Sequence, residues 1–251
     1  MLQRPNKTLQ WGDLREPSVR QQKQALRSFL WREFVCKNTP VAVNGILRRR
    51  FYIRRLKMWE YARGLAALPP NPGGRVLDFG GGGTLPPFFI AAQGIPVQVL
   101  DIDQNLNQHS VDLAQKRNWP LSVAHFDLGE PDLELPVDWV GAFDRIFSYC
   151  VLEHITFERQ KRVLTQLAKS LMPGGGMAIS FEFGSHAPAE APWRELGVVE
   201  EMAQILQTQG VNRVEPSLFV DGGERYLLDK SFPDARFTFG MLVLEKPANP
   251  A

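Results

Sequence analysis

Three aspartates, Asp78, Asp101 and Asp127, each close a short apolar run, and four glycines follow the first of them in RVLDFGGGG. The stretch Asp78, Phe79, Gly80, Gly81, Gly82 sets a carboxylate beside backbone that carries no side chains, so a ligand can approach closely. A triphosphate loop would need Gly-Lys-Ser/Thr, and the chain has no Gly-Lys pair. A dinucleotide fingerprint fits poorly, because its third glycine falls on Leu85 or, one residue later, on Pro86. A second chemical stretch, FSYCVLEHI, holds Ser148, Tyr149, Cys150, Glu153 and His154. His154 is a candidate general base, since an imidazole titrates near neutrality, and its rival role is to brace the start of a helix, which is the favoured reading. Cys150 reads as a packed thiol rather than a nucleophile. Asp103 reads as a helix N-cap, and Gly174 to Gly176 as a helix stop.

Alternating elements must position these groups. From Arg75 onward, apolar runs (RVLDF, PVQVLD, LSVAHFD, FDRIFSY, GMAISFEF) alternate with helical stretches at Pro87–Gly94, Asn105–Lys116, Ile155–Leu171 and Trp193–Gln209. Strand and helix in alternation predict a parallel sheet covered on both faces. Two last strands, RYLLD and FTFGMLVLEK, joined by KSFPDA, predict one antiparallel strand. Ahead of this body the spacing predicts a helix over Ser18–Val35 and a second over Ile46–Leu68, ended by PPNPGG. The expected organisation is a basic helical appendage over residues 1–70 and a ligand-binding domain over 71–251.

The 251 residues are 44% hydrophobic and 22% charged, an ordinary globular composition that excludes wholesale disorder. The net charge of +2 hides an asymmetry: residues 1–70 carry 15 Lys and Arg against 4 Asp and Glu, so +11, which leaves −9 on the remainder. Two cysteines cannot build a disulfide framework or a four-thiolate zinc site, and no apolar leader or spanning run is visible, so a cytoplasmic setting is expected.

The ordered motifs VLDFGGGG, VQVLDID, AHFDLGE, FDRIFSYCVLEHI, LMPGGG and FGMLVLEK, from about Trp59 to Lys246, resemble those of the class I S-adenosylmethionine (SAM) dependent methyltransferases. Thr84 departs from a third loop glycine, for which Gly83 can serve. The resemblance implies a Rossmann-like three-layer α/β sandwich, a mostly parallel seven-stranded sheet with one antiparallel strand, and an N-terminal helical lid. It implies SAM as methyl donor and S-adenosylhomocysteine as product. Asp101 would accept from both ribose hydroxyls, Ile102 would lie on the adenine, and Asp127 would accept from the adenine amino group beside Phe126 or Leu128. Asp78 would sit near the amino-acid tail, backbone at Phe147 and Ser148 would line the donor, and Tyr149 would face the acceptor. Trp59 and Tyr61 either approach the SAM tail or anchor the lid.

No metal is expected, because Cys150 stands where the metal-dependent RNA 2′-O-methyltransferases carry a glutamate. The expected acceptor is a small or medium organic molecule, with Arg48–Lys57 available to pair an anionic one. The alternatives are an RNA methyltransferase using the basic helices and a SAM-binding protein without catalysis, with a nicotinamide oxidoreductase as a remote fourth reading.

Overall fold

The computed structural model describes residues 2, 5–43, 45–49, 53, 55–184, 195–214, 217–220, 226–227 and 236–248. After a short strand β1 (Asn6–Thr8), helix α1 (Pro17–Leu30) starts on a proline, whose missing N–H costs nothing there, and buries Val19, Leu26 and Phe29. Next comes a hairpin of β2 (Val41–Val43) and β3 (Ile46–Arg48), and then α2 (Arg55–Ala67). The body continues through β4 (Val76–Phe79), α3 (Leu85–Ala91), β5 (Val97–Leu100), α4 (Gln104–Arg117), β6 (Leu121–Ala124) and β7 (Phe143–Tyr149). It ends with α5 (Phe157–Ser170), β8 (Leu171–Phe183), α6 (Leu196–Thr208) and four strands: β9 (Asn212–Arg213), β10 (Ser217–Leu218), β11 (Tyr226–Leu227) and β12 (Arg236–Glu245).

The main sheet runs β10-β1-β12-β8-β7-β4-β5-β6, with β9 and β11 also paired to β12. Every pairing of β12 is antiparallel and the others are parallel, so β12 is the single reversed strand. All seven strands marked in the sequence are present, and β1, β9 and β10 bring the sheet to ten. Period-two alternation divides the core between the two faces. Val76, Phe147, Met241 and Val243 pack with α1, α2 and α3 on one side, while Leu77, Ile146, Leu242 and Leu244 pack with α5 and α6 on the other.

Three local readings change. The stretch from Ile46 is a hairpin before it is a helix, because Gly45 turns the chain at φ +70° and Val41 and Val43 favour extended backbone, so helix begins only at Arg55. Arg48 and Arg49 are exposed there, whereas Arg50, Phe51, Tyr52 and Arg54 lie outside the described residues. Gly174–Gly176 belong to β8 rather than to a helix stop, since α5 already ends at Ser170; the Gly174 N–H donates to the Lys246 carbonyl (2.8 Å). The KSFPDA link and Trp193 lie outside the described residues.

Candidate active site

The order of the strands reverses at β4: β5 and β6 lie to one side, β7 and β8 to the other. Open parallel sheets bind ligands at the carboxyl edge of such a reversal. Here a cavity of about 810 Å³ opens, lined from the glycine loop by Phe79, Gly80 and Gly82. Gly80 takes φ +79°, and a Cβ on it would lie 2.4 Å from the Val151 side chain. A Cβ on Gly81 would lie within 1.7 Å of Asp78 Oδ1, so Asp78 sits directly beneath the loop. Gly83 supplies the left-handed residue at φ +68° that the departure at Thr84 left in question.

Asp101 ties this loop to the next strand. Its Oδ2 accepts from the Gly82 N–H (2.9 Å) and its Oδ1 from the Asp103 N–H (2.9 Å), and the carboxylate lines the cavity with lone pairs to spare. Asp103 caps α4 by accepting from Asn105 and Leu106 N–H. Ile102 is 69% exposed on the cavity wall, an apolar side chain left uncovered by the described residues. Phe126 and Asp127 line the same wall; Phe126 packs against Trp139 at 5.1 Å, and Asp127 pairs with Arg159 and accepts from the Gly129 N–H (2.7 Å).

Two candidates, Leu128 and Trp59, stand away from the cavity. Leu128 (1% exposed) is in the core; the Ser148 side chain is buried within β7 with no partner for its hydroxyl among the described residues, and the contact expected of Ser148 is one of its backbone. Trp59 and Tyr61 separate: Trp59 is a core anchor whose Nε1–H donates to Asp13 Oδ2 (2.9 Å), while Tyr61 lines the cavity. Two residues apart on a helix, they cannot share a face. Tyr149 also lines the cavity, meeting Tyr61 edge-on at 5.2 Å.

His154 is exposed on the cavity wall, and no hydrogen bond to its imidazole forms among the described residues. The brace at the start of α5 is Gln160, whose Nε2 donates to the Leu152 (2.5 Å) and Ile155 (2.8 Å) carbonyls. His154→Gln is therefore expected to shift the melting temperature by no more than about 2 °C, the scale of an exposed substitution in a chain of this size, as a thermal melt will show. Partial desolvation against the cavity wall and then the nearby Lys57 lower the His154 pKa.

Sequence reasoning missed a polar cluster beside the cavity. The Cys150 Sγ–H (2.5 Å) and the Ser180 hydroxyl (2.7 Å) both donate to Glu60 Oε1, and Lys57 Nζ lies 3.0 Å from Glu60 Oε2. Glu153 is buried with neither oxygen hydrogen-bonded among the described residues, and Glu182 lines the cavity. The available signal was a glutamate inside otherwise apolar runs, MWEYA for Glu60 and ISFEF for Glu182. Burial opposes the Lys57 ammonium, yet the Glu60 carboxylate beside it holds its pKa well above the usual lysine value. Burial pushes the Cys150 thiol well up, so it is no thiolate. Among the described residues no three His, Cys, Asp or Glu side chains are placed to hold a metal ion.

Three carboxyls are lifted, chiefly by burial: Asp78 to about 8, with Asp101 adding to the shift, Glu153 to about 8 and Glu182 to about 7. From the ordinary carboxylate range up to about pH 8 the folded chain therefore binds more protons than the unfolded chain. Stability is expected to fall as pH rises across that window, and urea melts at pH 5 and pH 8.5 will check the sign.

A methyltransferase domain model matches residues 49–210. A search of curated protein sequences finds no match. Among solved structures, the chain is similar to the [4+2]-cyclase SpnF (14% identity, TM-score 0.57, covering 91% of this chain and 97% of that one). It is similar to a TehB-like SAM-dependent methyltransferase from Corynebacterium glutamicum (18% identity, TM-score 0.52, 74% and 87% covered). A third neighbour is a putative sarcosine dimethylglycine methyltransferase from Galdieria sulphuraria (12% identity, TM-score 0.52, 91% and 99% covered). At these identities the structures speak for the fold, and the domain match for the family. With its strand order, its one reversed strand and its glycine loop at the point of reversal, the chain belongs to the methyltransferase domain family and has the class I Rossmann-like fold.

Proposed function

We propose that the cavity binds SAM and delivers its methyl group to a small organic acceptor. The observation that carries this reading is the join between the glycine loop and Asp101: one carboxylate holds the loop by the Gly82 N–H and still faces the cavity. The residues suit the donor. Asp101 offers acceptors to ribose hydroxyls and Ile102 an apolar face to the adenine. Asp78 Oδ2 is a buried acceptor beneath the loop with no partner among the described residues, suited to the amino group of the tail. Bound SAM supplies an electrophilic methyl on a sulfonium, and the transfer is an in-line displacement. Catalysis then comes largely from holding the acceptor in line and excluding water, tasks that fall to Tyr61, Tyr149 and Phe239 on the cavity wall. In this reading α1, α2 and the β2–β3 hairpin form a lid, supported by the Ala42 N–H donating to the Gly83 carbonyl (2.7 Å).

A cytoplasmic setting belongs to the same proposal. Both Cys36 and Cys150 are free, which suits a reducing compartment. No described helix is long and apolar enough to cross a membrane.

The test is calorimetry with S-adenosylhomocysteine, for which saturable one-site binding is expected; no heat from folded protein would refute the reading. The likeness to a cyclase makes a second measurement necessary. Transfer of label from methyl-tritiated SAM separates a methyltransferase from a protein that uses the fold otherwise.

A further inference from the structure

The cavity wall beyond the glycine loop is aromatic and acidic. Tyr61 comes from α2, Tyr149 from the end of β7, Glu182 from β8 and Phe239 from β12. Two cations line the cavity among the described residues, Lys57 and Arg159, and both are engaged: Lys57 with Glu60 at 3.0 Å, Arg159 with Asp127 and with Glu130 at 2.8 Å. The exposed Arg48 and Arg49 do not line it. An anionic acceptor would thus enter a pocket whose positive charge is already spent on carboxylates. Lys57 itself shows what the wall tolerates, because its ammonium lies 5.7 Å from the Phe239 ring centroid as well as beside Glu60. Aromatic faces with carboxylates make the environment that holds ammonium ligands.

Resting on the proposal that SAM is the donor, we propose that the acceptor is a small organic amine, bound as its ammonium against Tyr61, Tyr149 and Phe239 and deprotonated by Glu182. The amine N–H proton passes to a Glu182 carboxylate oxygen, which frees the nitrogen lone pair. That lone pair forms the new N–C bond as the C–S bond breaks, and the electron pair of that bond stays on sulfur. The products are a methylated ammonium, S-adenosylhomocysteine and a proton that Glu182 releases to water.

The chemistry matches the base. Burial raises the Glu182 pKa to about 7, with Lys57 opposing and Glu60 adding to the rise. An alkylammonium titrates near ~10, so the transfer is uphill by only about 3 units, which a positioned base can bridge. A phenol is equally acidic, but its anion would face the carboxyls. The charged groups that act on Glu182 are Lys57 and Glu60 from α2 and Glu153 from the turn after β7, and Tyr61, Tyr149, Cys150 and His154 line the same cavity. Of these, Lys57 is the cation that keeps Glu182 available as a base near neutrality.

The experiment uses the full chain and begins with calorimetry of S-adenosylhomocysteine; failure there overturns the donor reading and this proposal with it, whereas the outcomes that follow, on protein that binds, overturn this proposal alone. Methyl-tritiated SAM is then offered with pooled primary and secondary alkyl and aryl amines, and separately with the same carbon skeletons carrying hydroxyl or carboxylate. Label is expected in the amine pool alone. Label in either other pool, or in none of the three from protein that binds S-adenosylhomocysteine, overturns the proposal. On the labelled amine, Glu182→Gln is expected to lower kcat/KM by ~100- to 10,000-fold while S-adenosylhomocysteine affinity changes less than threefold. The wild-type profile should rise with pH through about 7 as Glu182 ionises; this limb should vanish in Glu182→Gln and partly return in Glu182→Asp. A Glu182→Gln rate within threefold of wild type assigns the proton elsewhere and overturns the role of Glu182.

Discussion

Asp101→Ala is expected to weaken SAM and S-adenosylhomocysteine binding by about 30- to 1000-fold, the equivalent of roughly 2 to 4 kcal/mol. Charge-assisted bonds to two ribose hydroxyls account for much of that range. The same carboxylate also holds the Gly82 and Asp103 N–H groups, so its removal loosens the loop over the ligand. Asp101→Asn separates the two contributions. It keeps one acceptor oxygen but loses the charge, and an intermediate weakening of about 5- to 50-fold is expected. Calorimetry of both variants measures the effect; a change below threefold in Asp101→Ala would show that Asp101 does not contact the ribose.

Far from the cavity, Asp13→Ala is expected to cost about 3 to 5 kcal/mol of stability, which at 251 residues lowers the melting temperature by roughly 6 to 20 °C. Asp13 is 3% exposed and accepts from Lys7 Nζ (2.5 Å), the Gln10 N–H (3.0 Å) and Trp59 Nε1–H (2.9 Å). Without it, the buried ammonium of Lys7 loses its counter-charge, and so in part does the Arg63 guanidinium, 3.9 Å away. Asp13→Asn keeps an acceptor for Trp59 and should lose less. The cluster fastens β1 and the turn after it to α2, the helix that carries Lys57, Glu60 and Tyr61 to the site. Melts in urea and by heat provide the measurement, and a loss under 1 kcal/mol would mean that the ammonium finds another partner.

What could be read from the sequence was whatever is decided within a few residues. Strand alternation placed Val76 and Leu77 on opposite faces of β4, because side chains along a strand alternate with period two. Asp103 capped α4 because a carboxylate accepts from the N–H groups two and three residues on. The glycine loop was legible because only glycine spares the contacts that a Cβ would make with Val151 and Asp78. The hairpin at Ile46 was not legible: the apolar and aromatic residues near it also suit a helix, and the choice was made where Ala42 bonds the Gly83 carbonyl.

The tertiary structure alone decided the cluster at Glu60. Its partners Cys150 and Ser180 lie 90 and 120 residues away in the chain, so no local spacing could pair them. It also decided that Trp59 turns inward to Asp13 while Tyr61 faces the cavity, and that Glu182, not His154, has the burial that lifts its pKa to about 7. Burial and charge neighbourhood are properties of the packed chain, and a residue's protonation chemistry follows them rather than its place in the sequence.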